Sequence, residues 1–187
     1  LLDRINACNN GNDTNNYFPF RVTDMQVGWI HREFAPALAP FAGIFERGDV
    51  DIALSPVLTD YQARTDAVDA ALRLIDQAGW FSGWRDERYP VGTGFYKPAL
   101  FEMERVAVPR FGVQAFGVHI NGFVRDGDRL FMWIARRADD KPTYPGMLDN
   151  MIAGGHPVGI GLKENVIKEA GEEAGVPPEL AATARPV

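Results

Sequence analysis

Gly154-Gly155-His156-Pro157-Val158-Gly159-Ile160-Gly161 runs straight into Leu162-Lys163-Glu164-Asn165-Val166-Ile167-Lys168-Glu169-Ala170-Gly171-Glu172-Glu173-Ala174-Gly175-Val176. A glycine-rich loop therefore opens onto a short acidic helix. Leu162, Val166, Ile167, Ala170 and Ala174 repeat at helical spacing and form an apolar stripe that should pack on a sheet. Glu169, Glu172 and Glu173 are read as lying off that stripe. Their spacing places them on one face, where like charges repel by roughly 0.2–0.5 kcal/mol per pair. A hard divalent cation with oxygen ligands, Mg²⁺ or Mn²⁺, would offset that repulsion. Gly171, inside the helix, costs about 1 kcal/mol against alanine.

Upstream of the loop, residues 113–124 and 129–136 are rich in Val, Ile, Phe and Trp, with Asp126-Gly127 between them, which signals a hairpin. Residues 138–147 read as a polar loop, and a short strand near Met151 to Ala153 feeds the glycine run. Arg136 and Arg137 end a strand shortly before it. Adjacent strand residues face opposite ways, so at most one of the two reaches a phosphate. His119 reads as a satisfied strand histidine, and His156, inside the loop, is the better site candidate of the two.

The stretch 154–176 resembles the Nudix box, G-x5-E-x7-R-E-U-x-E-E-x-G-U, where U is apolar. Gly154 takes the first glycine, Glu169 the glutamate after the arginine, Ala170 the apolar position, Glu172 and Glu173 the pair, Gly175 the last glycine and Val176 the final apolar site. Ile160 stands where the first glutamate belongs. Lys168 stands for the arginine, keeping its charge but losing the planar fork. Strand, loop and helix form the context such a motif requires. The segments 2–9, 83–87, 117–122, 133–137 and 144–150 extend the likeness over nearly the whole chain. Together they resemble the Nudix subfamily with an N-terminal domain of the DUF4743 type, which includes the Nudix half of fungal thiamine pyrophosphokinase fusions.

That resemblance implies an α+β protein: a Nudix-type α/β/α sandwich with a mixed sheet over 109–187, preceded by a small α/β domain over 1–108. It implies a Nudix pyrophosphohydrolase that uses Mg²⁺ or Mn²⁺ and acts on a small organic diphosphate, with thiamine diphosphate or its damaged analogues as first choice. Glu169, Glu172 and Glu173 would hold the metal, and Glu169 with Lys168 would form the catalytic pair. Gly154, Gly155, Arg136 and Arg137 would bind substrate. A homodimer is compatible with it. Few residues follow the box, so the sheet is expected to be incomplete at its C-terminal side, with unpaired edges that promote aggregation. Two other readings compete: a Nudix-fold binding or regulatory module without turnover, motivated by Ile160, and an isomerase of the isopentenyl-diphosphate type, which needs a cysteine near the site, whereas Cys8 is remote in sequence.

The N-terminal part carries weaker signals. Residues 9–16 read as a polar Asn-rich loop, and the sequon at Asn12 as chance. Residues 18–30 read as a hairpin turning at Thr23-Asp24, and 32–41 as a short helix around Pro36. The helix over 60–78 has Thr59 and Gln62 as a capping-box pair, an apolar face of Val68, Ala71, Leu72, Ile75 and Ala78, and Gly79 as its stop. Residues 90–98 read as a connector. Trp80, Trp84 and Phe95 default to core packing, with stacking on a substrate ring as the alternative.

Composition sets outer limits. The 187 residues are 46% hydrophobic and 24% charged, which is ordinary for a folded domain. The net charge of -6 argues against a general nucleic-acid binder. No 18-residue apolar run points to a membrane span, and no basic-then-apolar start points to a secretory signal. One cysteine allows no internal disulfide and suits a reducing compartment, so a cytoplasmic location is expected.

Overall fold

The computed structural model describes residues 2–7, 14–141 and 144–186. Cys8, the sequon at Asn12 and most of the Asn-rich loop lie outside the described residues. The chain divides into two units, residues 1–115 and 116–187.

The first unit begins with helix α1 (Leu2–Ala7) and is built on strands β1 (Tyr17–Val22), β2 (Met25–His31), β3 (Phe45–Arg47) and β4 (Ile52–Leu54). These form one sheet in the order β2-β1-β4-β3, with β1 and β4 parallel and the other pairs antiparallel. Phe18, Phe20 and Val22 alternate inward along β1, as a strand with one buried face requires. The β1–β2 hairpin turns through Thr23, whose φ of 54° is unusual for a β-branched residue. Helix α2 (Ala35–Leu38) starts at Phe34 with Pro36 in its first turn and passes into a 3₁₀ turn over Ala39–Phe41.

Helix α3 (Tyr61–Gln77) buries Thr65, Val68, Ala71, Leu72 and Ile75. Its cap differs from the expected Thr59–Gln62 box. Asp60 is the N-cap, its side chain accepting from Ala63 N, and Gln62 donates instead to Asp66. Ala78 is exposed, and Thr65 takes its place on the inner face because its hydroxyl accepts from Glu102 N at 3.1 Å. Strands β5 (Arg88–Val91) and β6 (Phe101–Glu104) pair antiparallel, so residues 92–100 are the loop of a hairpin and not a connector. Helix α4 (Val108–Phe111) closes the unit. Phe111 and Val113 are buried in this core, which carries the unit beyond the boundary after residue 108 expected from sequence. The Phe20 ring lies 6.3, 6.4 and 5.3 Å from those of Phe45, Phe101 and Phe111. Trp80 meets Phe34 edge-on, Trp84 donates to Asp86, and Phe95 contacts Tyr96.

The second unit contains β7 (Gly117–Ile120), β8 (Phe123–Asp126), β9 (Arg129–Met132), β10 (Ala135–Arg136), β11 (Leu148–Asp149) and β12 (Ile152–Gly155), then α5 (Leu162–Ala174) and α6 (Pro178–Ala181). Among the described residues its strands form three antiparallel pairs, β7–β12, β8–β9 and β10–β11, rather than the single mixed sheet expected. The expected hairpin around Asp126-Gly127 is β8–β9. Its first apolar segment is divided, because 117–120 pairs instead with β12. Every residue of β8 and β9 is exposed, large apolar side chains included. The buried core here consists of Ile152, Ala170 and Ala181, with Ile120, Met151, Ile167 and Val176 against it. Among the described residues no helix is long and apolar enough to cross a membrane.

Candidate active site

Helix α5 starts at Gly161, without a side-chain cap, and ends at Gly175. The φ of 61° at Gly175 is left-handed, and Val176 N donates to Ala170 O at 3.1 Å. That six-residue closure is how helices commonly stop at glycine. The strand before the loop is longer than expected: β12 includes Gly154 and Gly155, paired with Val118 and Gly117.

The helix meets this strand through polar residues, not through the whole apolar stripe. Leu162 and Ala174 are exposed, whereas Asn165, Glu169 and Ala170 are buried. Asn165, Glu169 and Glu173 stand four apart, on one line down the helix. They engage successive residues of β12 in reverse order. Asn165 Nδ2 donates to Gly155 O at 2.9 Å, and Ala153 N donates to Glu173 Oε2 at 2.8 Å. Between them the Glu169 carboxyl group lies against the α-carbon of Gly154, where a Cβ would overlap it. Glycine at 154 is thus required by close approach. Glu169 and Glu173 therefore lie on the packing face, which corrects the expectation that all three glutamates lie off it. The sequence reading missed Asn165, although its spacing from Glu169 and Glu173 carries the signal. Its Oδ1 is buried and without a hydrogen-bond partner.

Glu169 is 8% exposed. Lys168 Nζ lies 2.9 Å from Glu169 Oε1 and 3.1 Å from Glu172 Oε2. The hydrogen bond that Lys168 donates to Glu169, with the one it donates to Glu172, outweighs desolvation and holds the Lys168 pKa above its ordinary value. Glu172 is exposed, with 60% of its side-chain surface free, and so is Glu173. Among the described residues no three His, Cys, Asp or Glu side chains are gathered closely enough to hold a metal ion. Glu169 and Glu172 share the lysine, and Glu173 is turned to the strand backbone.

The two arginines are both engaged. Arg136 binds Asp139 at 2.8 Å, and Arg137 binds Asp149 at 2.8 Å. The Arg137 guanidinium is the main cause that holds the Asp149 carboxyl below the usual range. His119 Nδ1 lies 3.0 Å from Asn150 Oδ1, and His156 N donates to Phe116 O at 2.9 Å.

Residues 1–115 match the family model for the domain of unknown function DUF4743. Nudix hydrolase 20, chloroplastic, of Arabidopsis thaliana is 40% identical over 94% of this chain and 50% of its own length. Nudix hydrolase 24, chloroplastic, of the same plant is 39% identical over 97% of this chain and 50% of its own length. An uncharacterised protein of Saccharomyces cerevisiae is 38% identical over 62% of this chain and 34% of its own length. The chain spans about half the length of the two plant relatives. With the DUF4743 match over its first unit and the box spacing in its second, the chain belongs to the Nudix family, in the branch that carries DUF4743.

Proposed function

We propose that the protein takes part in metal-dependent hydrolysis of the P–O–P linkage of a small organic diphosphate. The observation that carries this reading is Glu169, a buried carboxylate held between Gly154 and Lys168 on a helix with Nudix box spacing. The donor chemistry suits a hard divalent cation, since every candidate ligand is a carboxylate oxygen. Glu169 and Glu172 already share one positive charge, that of Lys168. Once the three carboxylates draw together, Glu169, Glu172 and Glu173 would hold Mg²⁺ or Mn²⁺ through the oxygens that Lys168 and the Ala153 amide leave free. When bound, the metal supplies neutralisation of the phosphate oxygens and a lowered pKa for a nearby water.

The chain's own residues supply the remainder. A water oxygen attacks one phosphorus, and Glu169 takes its proton. The bridging P–O bond breaks, and the bridging oxygen leaves on the departing phosphate. Products are an organic monophosphate and inorganic phosphate. Lys168 restricts the rotamer of Glu169. Asn165 and Glu173 fix the helix to the strand that carries Gly154, as a preorganised site requires. Arg136 and Arg137 are pinned by Asp139 and Asp149, so a phosphate would have to compete for either.

Thiamine diphosphate or a damaged analogue is the substrate we propose, on the strength of the whole-chain resemblance. The net charge of -6 favours a substrate reached through metal rather than a basic face. Turnover should cease with chelator and respond weakly to salt. A panel of thiamine, nucleoside and nucleotide-sugar diphosphates with Mg²⁺ tests this. Turnover of nucleotide sugars alone would overturn the thiamine assignment and keep the hydrolase. A second reading, a binding module without turnover, is favoured by Ile160 and by the lysine seated on Glu169 and Glu172; diphosphate binding with no phosphate release would select it. The compartment we propose is the cytoplasm, from the single cysteine. The two Arabidopsis relatives are named chloroplastic, and cell fractionation tests the point.

A further inference from the structure

The first unit contains a cavity of about 190 Å³ between the end of β1, the end of β4 and the start of α3. Its apolar walls are Val22, Leu54 and Leu58, and its polar rim includes Thr23, Thr59 and Arg64. Arg64 is the fourth residue of α3, where a cation opposes the positive end of the helix dipole. Among the described residues it has no carboxylate partner. Its three nitrogens donate to the carbonyl oxygens of Leu58, Leu100 and Thr59 at 3.0, 3.4 and 3.0 Å. Of five N–H groups, two therefore remain, one on each terminal nitrogen.

The neighbouring hydroxyls divide clearly. Ser55, also on the wall, gives its proton to Glu46, and Thr23 gives its own to Val22 O or Asp24. Thr59 is released from capping because Asp60 caps α3, and among the described residues its hydroxyl has no partner. An uncompensated guanidinium, one free hydroxyl and an apolar recess match an anion with a short hydrocarbon body. With Glu46 held at Ser55 and Asp60 at the helix cap, one positive charge suits a monoanion better than a phosphate dianion. The space admits a small organic ion of a few heavy atoms.

We propose that this cavity in the DUF4743 unit binds a small monocarboxylate: its carboxylate on the free Arg64 N–H groups and the Thr59 hydroxyl, its short aliphatic body against Val22, Leu54 and Leu58. Butanoate has the required size and charge, and butanamide is its neutral counterpart. Titration of the isotope-labelled protein should move the resonances of Thr23, Thr59 and Arg64 saturably with butanoate and not with butanamide. Thr59→Val, at an exposed position, should weaken binding by about tenfold, the effect of one hydrogen bond to a charged group. Arg64→Lys should weaken it at least as much while the remaining amide spectrum stays unchanged. If Arg64→Lys disturbs the fold, Thr59→Val alone carries the test. Equal binding of acid and amide, no saturable shift in the millimolar range, or unchanged affinity in Thr59→Val overturns the proposal. Tighter binding of inorganic phosphate than of butanoate overturns the monocarboxylate assignment.

Discussion

The two units invest their apolar side chains in opposite ways. In the first, Phe18, Phe20, Phe34, Phe45, Phe101 and Phe111 are all 2% exposed or less, and all but Phe18 pack ring against ring. In the second, Phe123, Leu130, Phe131 and Trp133 are 49–61% exposed, and the core is three residues plus a few partly buried neighbours. The helix that carries the candidate site is held to its strand by Asn165 and Glu173 hydrogen bonds as much as by hydrocarbon. A core of aromatic rings tolerates a lost polar contact; a junction made of polar contacts does not. The first unit should therefore be where stability resides, and the second where single substitutions change chemistry.

Phe20→Ala should destabilise by about 3–5 kcal/mol in urea unfolding, as for a fully buried phenylalanine. Phe131→Ala, half exposed, should stay within about 0.5 kcal/mol. Equal losses would show that the β8–β9 hairpin is covered and that the contrast is mistaken. Gly154→Ala comes next. Its methyl group would drive Glu169 out of place, and overpacking of this kind costs about 1–3 kcal/mol. Turnover should fall by roughly ten- to a hundredfold, while the main urea transition stays where it is.

Lys168→Met should lower turnover by about tenfold through loss of the Glu169 restraint, and Lys168→Arg should retain it. The pH response carries the sign of a raised lysine pKa. The interaction is fully present below the pKa of the unfolded chain and is lost as pH rises through the higher folded value. Activity should therefore show no loss attributable to Lys168 across the neutral range, and a pH–rate profile compared with that of Lys168→Met checks it. The smallest effect belongs to the first unit. Thr23→Gly should relieve the positive φ and stabilise by about 0.5–1 kcal/mol, read from the shift of the urea midpoint.

Much of the local structure was legible because it follows from periodicity and turn chemistry. The hairpin at Thr23-Asp24, the helix after residue 60 and the helix from 162 to 174 all come from spacing alone. Three things were not legible. The capping residue moved from Thr59 to Asp60, because two adjacent side chains qualify and only backbone geometry selects one. Residues 92–100 read as a connector because nothing local reveals that β5 and β6 pair across them. The helix face was misjudged because an apolar stripe was assumed to be the packing face, whereas glycines on β12 let Asn165 and Glu169 approach instead. The box spacing placed Glu169, Glu172 and Glu173 near one another, but spacing does not say that Lys168 sits between two of them and a backbone amide takes the third.

The most direct measurement is phosphate release from thiamine diphosphate by the protein and by Glu169→Gln, across a Mg²⁺ titration, with Mg²⁺ or Mn²⁺ affinity measured alongside. The glutamine keeps the shape that fits against Gly154 and removes the charge. Metal-dependent turnover is expected in the parent, with a loss of roughly 10²–10⁴-fold in the variant and weaker metal binding. Turnover and metal affinity unchanged in Glu169→Gln would contradict the role proposed for Glu169.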